Sequence, residues 1–169
     1  MAAKSKAIVG VVMGSDSDLE TMKRCLGQLD ELGVTYEVRV LSAHRTPDEA
    51  HQYAAAAAGR GLKVIIAAAG MSAALAGVMA AGTTLPVIGV PMDNGSLNGL
   101  DAALSTMQMP PGVPVGCMAI GAAGATNAAV YAAAIIALGD KALARKLAQY
   151  KSQQRDKVLQ KDAKVQGSL

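Results

Sequence analysis

Short apolar runs alternate with helical patterns from one end of this sequence to the other. The runs predict five strands, at residues 7–13, 36–41, 64–68, 86–90 and 115–120. Strands that alternate with helices are typical of repeated βαβ units and a parallel sheet. Because the runs are apolar almost throughout instead of alternating with polar residues, we expect helices to cover both faces of that sheet.

Four helices have clear signals at their ends. Apolar residues at helical spacing predict one from Leu19 to Leu32, which Gly33 ends. Thr46 is the expected cap of a second helix, with Glu49 completing a capping box. We predict an alanine-rich helix over 127–138, capped by Asn127, and a long amphipathic helix from Asp140 to about residue 163.

These elements predict a three-layer α/β/α sandwich with a flavodoxin-like parallel sheet and a long C-terminal helix. The 169 residues fit one domain, so we expect a single catalytic domain over 1–169. Residues 7–163 are expected to be ordered, with 1–6 and 165–169 frayed. A sheet of this kind binds ligands beyond the carboxyl ends of its strands, where the strand order switches.

Composition narrows the class of protein. With 51% hydrophobic and 17% charged residues the chain is a folded globular protein. Phe and Trp are absent and Tyr occurs four times, so the core is aliphatic and alanine-rich, and contacts between subunits would add stability. The net charge of +3 comes mostly from a C-terminal helical pattern without interleaved aromatic residues, which argues against nucleic-acid binding.

The cysteines and the hydropathy pattern indicate a compartment. Cys25 and Cys117 both lie in apolar patterns and are expected to be buried free thiols, which fit a reducing environment. No apolar stretch reaches the length of a membrane span, and the N-terminus shows no signal-peptide cleavage site. We therefore expect a cytoplasmic protein with no membrane partner.

The first loop that could carry chemistry follows strand one and reads Gly14-Ser15-Asp16-Ser17-Asp18. Backbone amides and hydroxyl groups at a helix N-terminus form a cradle for an anion such as phosphate. A carboxylate beside that cradle suits ribose hydroxyl groups. The alternative is that Ser17 or Asp18 only caps the helix.

The second loop places Ser42, His44 and Arg45 after strand two. An arginine suits bidentate phosphate contact, and a histidine is the side chain best matched to proton transfer near neutral pH. We therefore interpret His44 as a functional residue. His51, the other histidine, lies inside a predicted helix and is expected to be structural.

The third loop follows strand three and is built of small residues, from Ala69 to Gly77. Its backbone amides could hold a carboxyl group, since Gly70 permits close approach; tight helix packing is the alternative. The segments 92–97 and 108–112 are interpreted as polar lids or subunit contacts. Residues 121–127 are expected to form another glycine loop before a helix.

Five motifs together resemble one family. GSDSD, SAHRTP, LPVIGVP, QMPPGVPV and IGAAGATNAAVYAA occur in the order and spacing of the aminoimidazole ribonucleotide carboxylase and N5-carboxyaminoimidazole ribonucleotide mutase family of purine synthesis. The likeness runs from about Ile8 to the C-terminal helix.

The resemblance implies a homo-octamer with active sites near subunit junctions, a small-molecule ribonucleotide substrate, and no metal or organic cofactor. It implies that Ser15, Asp18 and Arg45 contact the ribose phosphate and that His44 is the catalytic residue that moves a proton. The other residues that we expect to bind substrate are Ser17, Ser42, Gly70, Met71, Ser72, Ala74 and Leu75. The implied reaction converts N5-carboxyaminoimidazole ribonucleotide to 4-carboxy-5-aminoimidazole ribonucleotide.

The third loop departs from the mutase pattern. The mutases usually read AGGAAHLPG there, whereas this chain reads AGMSAALAG and has no histidine. The loop is closer to the GRSNALSG of a second class, which carboxylates aminoimidazole ribonucleotide directly with carbon dioxide. That class normally has Lys in place of Arg45 and Arg in place of Met71, so mutase is our first interpretation and direct carboxylase the alternative.

A flavin-binding electron carrier is the alternative from another class, because the fold and the phosphate cradle would suit it. Flavin sites commonly stack aromatic residues on the ring, and the candidate loops contain no Phe, Trp or Tyr. A colourless purified protein would reject this alternative.

Overall fold

Strands and helices alternate along residues 6–168, the part of the chain that this computed structural model describes. A single turn of 3-10 helix, Asp16–Asp18, precedes the first α-helix. In chain order the elements are β1 Val9–Met13, α1 Leu19–Leu32, β2 Tyr36–Val40, α2 Pro47–Arg60, β3 Val64–Ala69, α3 Leu75–Gly82, β4 Val87–Pro91, α4 Leu100–Met107, β5 Gly116–Cys117, α5 Gly121–Ala137 and α6 Lys141–Gln166.

All five strands pair in parallel, in the order β2-β1-β3-β4-β5. This is the flavodoxin-like order, and helices lie on both sides of the sheet, so the predicted three-layer sandwich is confirmed. The chain steps from β1 outward to β2 and then crosses to β3 on the other side of β1. The loops after β1 and β3 therefore diverge and leave a crevice at the carboxyl ends of the strands.

Two apolar clusters fill the space between the layers. On one face, Met22, Cys25 and Leu29 of α1 pack with the alanines of α5 and with Leu143 of α6 against the sheet. On the other face, α2 and α3 cover the sheet through small residues and Met79. Burial raises the pKa of the Cys25 thiol to about 12, so this group stays protonated inside the core.

The edge strand β2 differs from the prediction that helices cover both faces. Val38, Arg39 and Val40 are exposed, and Val40 retains 51% of its accessible surface. An edge strand has a neighbour on one side only, so helices packed on the inner strands leave part of it uncovered.

The region around β5 also differs from prediction. Only Gly116 and Cys117 form the strand, and Cys117 is half-buried instead of buried. The next helix starts at Gly121, so Asn127 lies inside α5 and is not its cap. The early start depends on Gly124, because a Cβ there would collide with the Ala119 carbonyl.

The C-terminal helix is longer than predicted. Asp140 caps α6 by accepting hydrogen bonds from the amides of Ala142 and Leu143, at 2.9 and 3.0 Å. The helix continues to Gln166, so Val165 and Gln166 are helical and not frayed. Residues 1–5 and 169, which were also expected to be frayed, lie outside the described residues. Between residues 6 and 168 no helix is both long and apolar enough to cross a membrane.

Candidate functional site

A cavity of about 500 Å³ opens at the carboxyl end of the sheet, between the loops that follow β1, β2, β3 and β4. Its position matches the crevice expected from the strand order. All eleven side chains or backbone positions that the sequence predicted as site residues line it: Ser15, Ser17, Asp18, Ser42, His44, Arg45, Gly70, Met71, Ser72, Ala74 and Leu75.

The loop after β1 is organised by Ser15. Its Oγ accepts hydrogen bonds from the Ser17 amide at 3.2 Å and from the Ser17 hydroxyl at 2.8 Å, which caps the 3-10 turn. Asp18, at the N-cap position of α1, makes no side-chain capping bond. The proposed capping by Ser17 or Asp18 is therefore wrong, and the Asp18 carboxylate is not used by the helix end.

Asp18 is a buried carboxyl group with 2% of its surface exposed. Burial raises its pKa, and the neighbouring charge of Asp16 acts in the same direction. A hydrogen bond from Asn94 and a backbone contact with Ser15 oppose that shift. The Asn94 bond joins Nδ2 to Asp18 Oδ1 at 3.1 Å and connects the loop after β4 to the loop after β1.

The loop after β2 is closed by contacts between Ser42 and Thr46. The Thr46 hydroxyl accepts from the Ser42 amide at 2.8 Å and donates to the Ser42 carbonyl at 3.1 Å. Thr46 stands at the N-cap of α2 but makes no side-chain capping bond, and so the predicted cap is not formed. Its hydroxyl is engaged in shaping the loop that carries His44 and Arg45.

Arg45 joins two of the loops. Its backbone amide donates to Ser42 Oγ at 3.1 Å, and its Nε approaches the same oxygen at 3.5 Å. One terminal nitrogen donates to the Gly14 carbonyl at 3.3 Å. The guanidinium is thus held beside the loop after β1, and its remaining N–H groups are available to an anion in the cavity.

His44 is exposed and lines the cavity next to Arg45. Within residues 6–168 its imidazole makes no side-chain hydrogen bond, so both ring nitrogens are open to a ligand. His51 lies in the middle of α2 and does not line the cavity. The two histidines therefore differ in position in the way that the sequence predicted.

The loop after β3 contains a strained residue. Met71 has a backbone φ of 56°, in the left-handed region that residues other than Gly rarely adopt. The residue is 61% exposed. Sparsely populated backbone conformations of this kind cluster at binding and catalytic sites. Met71 faces Gly95 of the loop after β4, since a Cβ at Gly95 would lie 3.3 Å from Met71 Cγ.

Gly70 permits a close approach to its backbone, as predicted, but the group that approaches it is the side chain of Asn94 and not a ligand. A Cβ at this position would lie 3.0 Å from Asn94 Oδ1 and 3.1 Å from its Cγ. Asn94 thus fills the space above Gly70. It is a polar lining residue that was not among the predicted site residues; Gly14, Ala43 and Ala69 also line the cavity without having been predicted. The segment of Asn94, 92–97, was interpreted as a lid or a subunit contact; the available signal was a polar residue after a buried strand, at the same edge as the other loops.

The cavity contains groups that suit anion binding and proton transfer. In the part of the chain from Lys6 to Ser168, no group of three or more His, Cys, Asp or Glu residues is placed to hold a metal ion. The cavity instead offers a guanidinium, four serine hydroxyl groups, a buried carboxyl group, a carboxamide and an imidazole. No Phe, Trp or Tyr of the described residues lines it.

Comparison with known proteins gives a consistent result. Residues 8–157 match the family model described as AIR carboxylase. The chain is 54% identical over 153 residues to the N5-carboxyaminoimidazole ribonucleotide mutase of Bacillus subtilis, covering 90% of this chain and 94% of that protein. It is 52% identical to the mutase of Pseudomonas aeruginosa over 153 residues, with the same two shares covered.

The fold matches a solved structure as well. The crystal structure of Treponema denticola PurE superposes with a TM-score of 0.83, at 29% identity, over 92% of this chain and 96% of that one.

Replacing the strained residue tests the local energetics of the site. Met71→Gly should raise the free energy of unfolding by about 1 kcal/mol, because glycine adopts the left-handed conformation freely. Little burial is lost, since 61% of the side chain is exposed. Urea unfolding at a fixed protein concentration measures the change. Met71→Ala is the control, which removes the side chain and keeps the strain; equal stability of the two variants would contradict the assignment of strain.

Proposed function

Because the chain belongs to the AIR carboxylase family, we propose that it is an N5-carboxyaminoimidazole ribonucleotide mutase. It would convert N5-carboxyaminoimidazole ribonucleotide to 4-carboxy-5-aminoimidazole ribonucleotide in de novo IMP (purine) biosynthesis, with residues 1–169 as one catalytic domain. The observation that carries this proposal is the placement of His44 and Arg45 in one cavity with Ser15 and Asp18.

The polar groups of the cavity divide into two parts that suit the two ends of a ribonucleotide. Ser15, Ser17 and Arg45 form the phosphate-binding part, supported by the amides around the 3-10 turn. The contact from Arg45 to the Gly14 carbonyl holds the guanidinium at that end. Asp18 lies deeper and would accept hydrogen bonds from ribose hydroxyl groups. The heterocycle then reaches toward His44 and the loop after β3.

His44 is the proposed proton carrier. As the bond between the exocyclic nitrogen and the carboxyl carbon breaks, the electron pair stays on nitrogen and His44 supplies the proton to it. The released carbon dioxide stays in the closed site, and C4 of the imidazole attacks it to form the new carbon–carbon bond. C4 then loses its proton to His44, which restores the aromatic ring and the starting state of the histidine.

The loop after β3 would hold the carboxyl group between the two steps. Gly70, Met71, Ser72, Ala74 and Leu75 line that side of the cavity. Their backbone amides and the N-terminus of α3 favour negative charge. A trapped carbon dioxide carries no charge, so small side chains here leave it room close to C4.

Direct carboxylation remains the second candidate, and the loop after β3 is the observation that favours it. Ala74 lies where the mutase pattern has histidine, so the described cavity contains one imidazole. In this alternative the enzyme is a carboxy-lyase that adds dissolved carbon dioxide to aminoimidazole ribonucleotide. His44 would then only remove the C4 proton.

We also propose that the protein works as a cytoplasmic homo-octamer without a cofactor. Four large apolar residues, Leu97, Leu100, Leu104 and Met107, follow each other at helical spacing on or beside α4. They are between 46% and 59% exposed in the single chain. A face of this kind costs free energy in water and is typical of a contact between subunits.

The donor of the carboxyl group can be tested with paired substrates. Purified protein should interconvert N5-carboxyaminoimidazole ribonucleotide and 4-carboxy-5-aminoimidazole ribonucleotide, followed by absorbance, without added bicarbonate. A protein that ignores the N-carboxylated substrate, yet consumes aminoimidazole ribonucleotide with carbon dioxide, would be the direct carboxylase. A yellow protein with bound flavin would support the electron-carrier alternative.

The role of His44 predicts a selective loss of turnover. His44→Asn should lower kcat by about 10²-fold to 10⁴-fold, because the proton carrier is removed while a polar side chain of similar size remains. Calorimetry with aminoimidazole ribonucleotide should show nearly unchanged binding. His51→Asn is the matched control and should behave as wild type. Full activity in His44→Asn, or equal losses in both variants, would reject the role.

The proposed octamer predicts the mass of the protein in solution and the effect of substitutions on α4. Sedimentation should give a species of eight times the 17.1 kDa subunit mass. Leu100→Asp should shift this species toward smaller ones, because it places a charge on the exposed apolar face of α4. Ser105→Asp adds the same charge to the same helix at a polar position and should leave the mass unchanged. A monomeric wild type would contradict the octamer.

A further inference from the structure

Asn94 has a polar side chain at the cavity, and the proposed mechanism gives it no role. It follows β4, two loops away from Asp18 along the sheet edge, yet its Nδ2 donates to Asp18 Oδ1 at 3.1 Å. Within residues 6–168, Asn94 is the only side chain that donates a hydrogen bond to Asp18. The contact therefore selects the orientation of a carboxylate that is 2% exposed.

The Asn94 carboxamide is itself fixed from below. A Cβ at Gly70 would lie 3.0 Å from its Oδ1, 3.1 Å from its Cγ and 3.3 Å from its Nδ2. The whole amide group thus rests on the bare backbone of Gly70. Because this contact already restricts the rotamers of Asn94, the side chain loses little further conformational entropy when it donates to Asp18.

A buried carboxylate needs such a donor. Removal of its hydrogen-bond partner leaves a desolvated charge, which costs more than the bond itself contributes. The carboxylate of Asp16, in the same loop, adds repulsion. Without Asn94 the Asp18 side chain would turn toward water or take up a proton, and either change removes the acceptor that a ribose hydroxyl group requires.

We propose that Asn94 is a positioning residue: seated on Gly70, it holds the Asp18 carboxylate in the orientation that receives the ribose of the substrate. This inference rests on the proposed function, in which Asp18 binds the ribonucleotide. Asn94 acts on binding through Asp18 and takes no part in the proton transfer at His44.

The first test separates binding from turnover. Asn94→Ala should raise the KM for N5-carboxyaminoimidazole ribonucleotide, and the Kd for aminoimidazole ribonucleotide measured by calorimetry, by about tenfold. The kcat should stay close to the wild-type value, since His44 is untouched. Asn98→Gly is the matched control: it removes a carboxamide from the same loop, at φ of 50° where glycine fits, and should change neither constant.

A double-mutant cycle with Asp18→Ala tests whether Asn94 acts through Asp18. In the Asp18→Ala background, Asn94→Ala should have almost no further effect on Kd, because the carboxylate that Asn94 orients is gone. If the two substitutions multiply their effects, Asn94 acts independently of Asp18 and the inference is wrong. Unchanged KM and Kd in the single variant would also overturn it.

Gly70→Ala reaches the same contact from the other side and serves if Asn94→Ala folds poorly. The added methyl group would lie 3.0 Å from Asn94 Oδ1 and would shift the amide by a few tenths of an ångström, so the Kd for aminoimidazole ribonucleotide should rise, by a smaller factor than in Asn94→Ala. This ligand lacks the carboxyl group that is proposed to lie against the loop of Gly70, so an unchanged Kd in Gly70→Ala would reject the proposed seat. Where Asn94→Ala is folded, adding Gly70→Ala to it should not change this Kd further, because the space above Gly70 is then empty.

The outcomes also separate this inference from the proposed function. Wild-type protein that neither binds aminoimidazole ribonucleotide nor converts its N-carboxylated form would reject both. Wild-type protein that does both, with an Asn94→Ala variant of equal Kd, rejects the positioning role alone.

Discussion

Parallel pairing of the strands is the constraint on which the site depends. Because β2, β1, β3 and β4 all run in one direction, the residues that follow them meet at one edge of the sheet. Two hydrogen bonds then lock loops that are far apart in sequence. Arg45 binds the Gly14 carbonyl, and Asn94 binds Asp18. The sheet brings the groups within reach, and these two contacts determine how they face the cavity.

Small residues make this arrangement possible. The sheet and α5 approach closely because the alanines of α5 present small side chains at their contact. Gly124 leaves room for the Ala119 carbonyl at the first turn of α5. A small residue has the same effect in the site, where the absence of a Cβ at Gly70 leaves room for the Asn94 amide. A core without Phe or Trp has little apolar area to bury per residue. The exposed apolar positions on β2 and α4 fit the proposed octamer, in which they would be buried against further copies of the chain.

The sequence was sufficient for features that depend on local pattern. Four strands and α1 with Gly33 at its end were predictable, because apolar periodicity and turn residues are local signals. The clustering of the eleven proposed site residues around one cavity was also predictable, since they follow parallel strands, while their roles stay predictions. The start of α5 was not predictable, since it depends on Gly124 packing against the Ala119 carbonyl. Asn94 was missed for a similar reason: its partner is 76 positions away in the sequence. A contact of that range depends on how side chains of two loops meet at the edge of the sheet, and apolar periodicity carries no signal for such a meeting.

The site combines groups in opposite environments, and this difference explains how one small cavity can both hold and transform a nucleotide. Asp18 is buried and accepts a hydrogen bond from a neutral donor, so it is suited to a fixed hydrogen bond. His44 is exposed and makes no side-chain hydrogen bond within residues 6–168, so its ring nitrogens are open to a ligand, as the proposed proton transfer requires. If the two environments were exchanged, the carboxyl group would lose its orientation and the imidazole its freedom. The proposed chemistry therefore requires both a carboxyl group in a fixed orientation, at Asp18, and an imidazole open to the ligand, at His44.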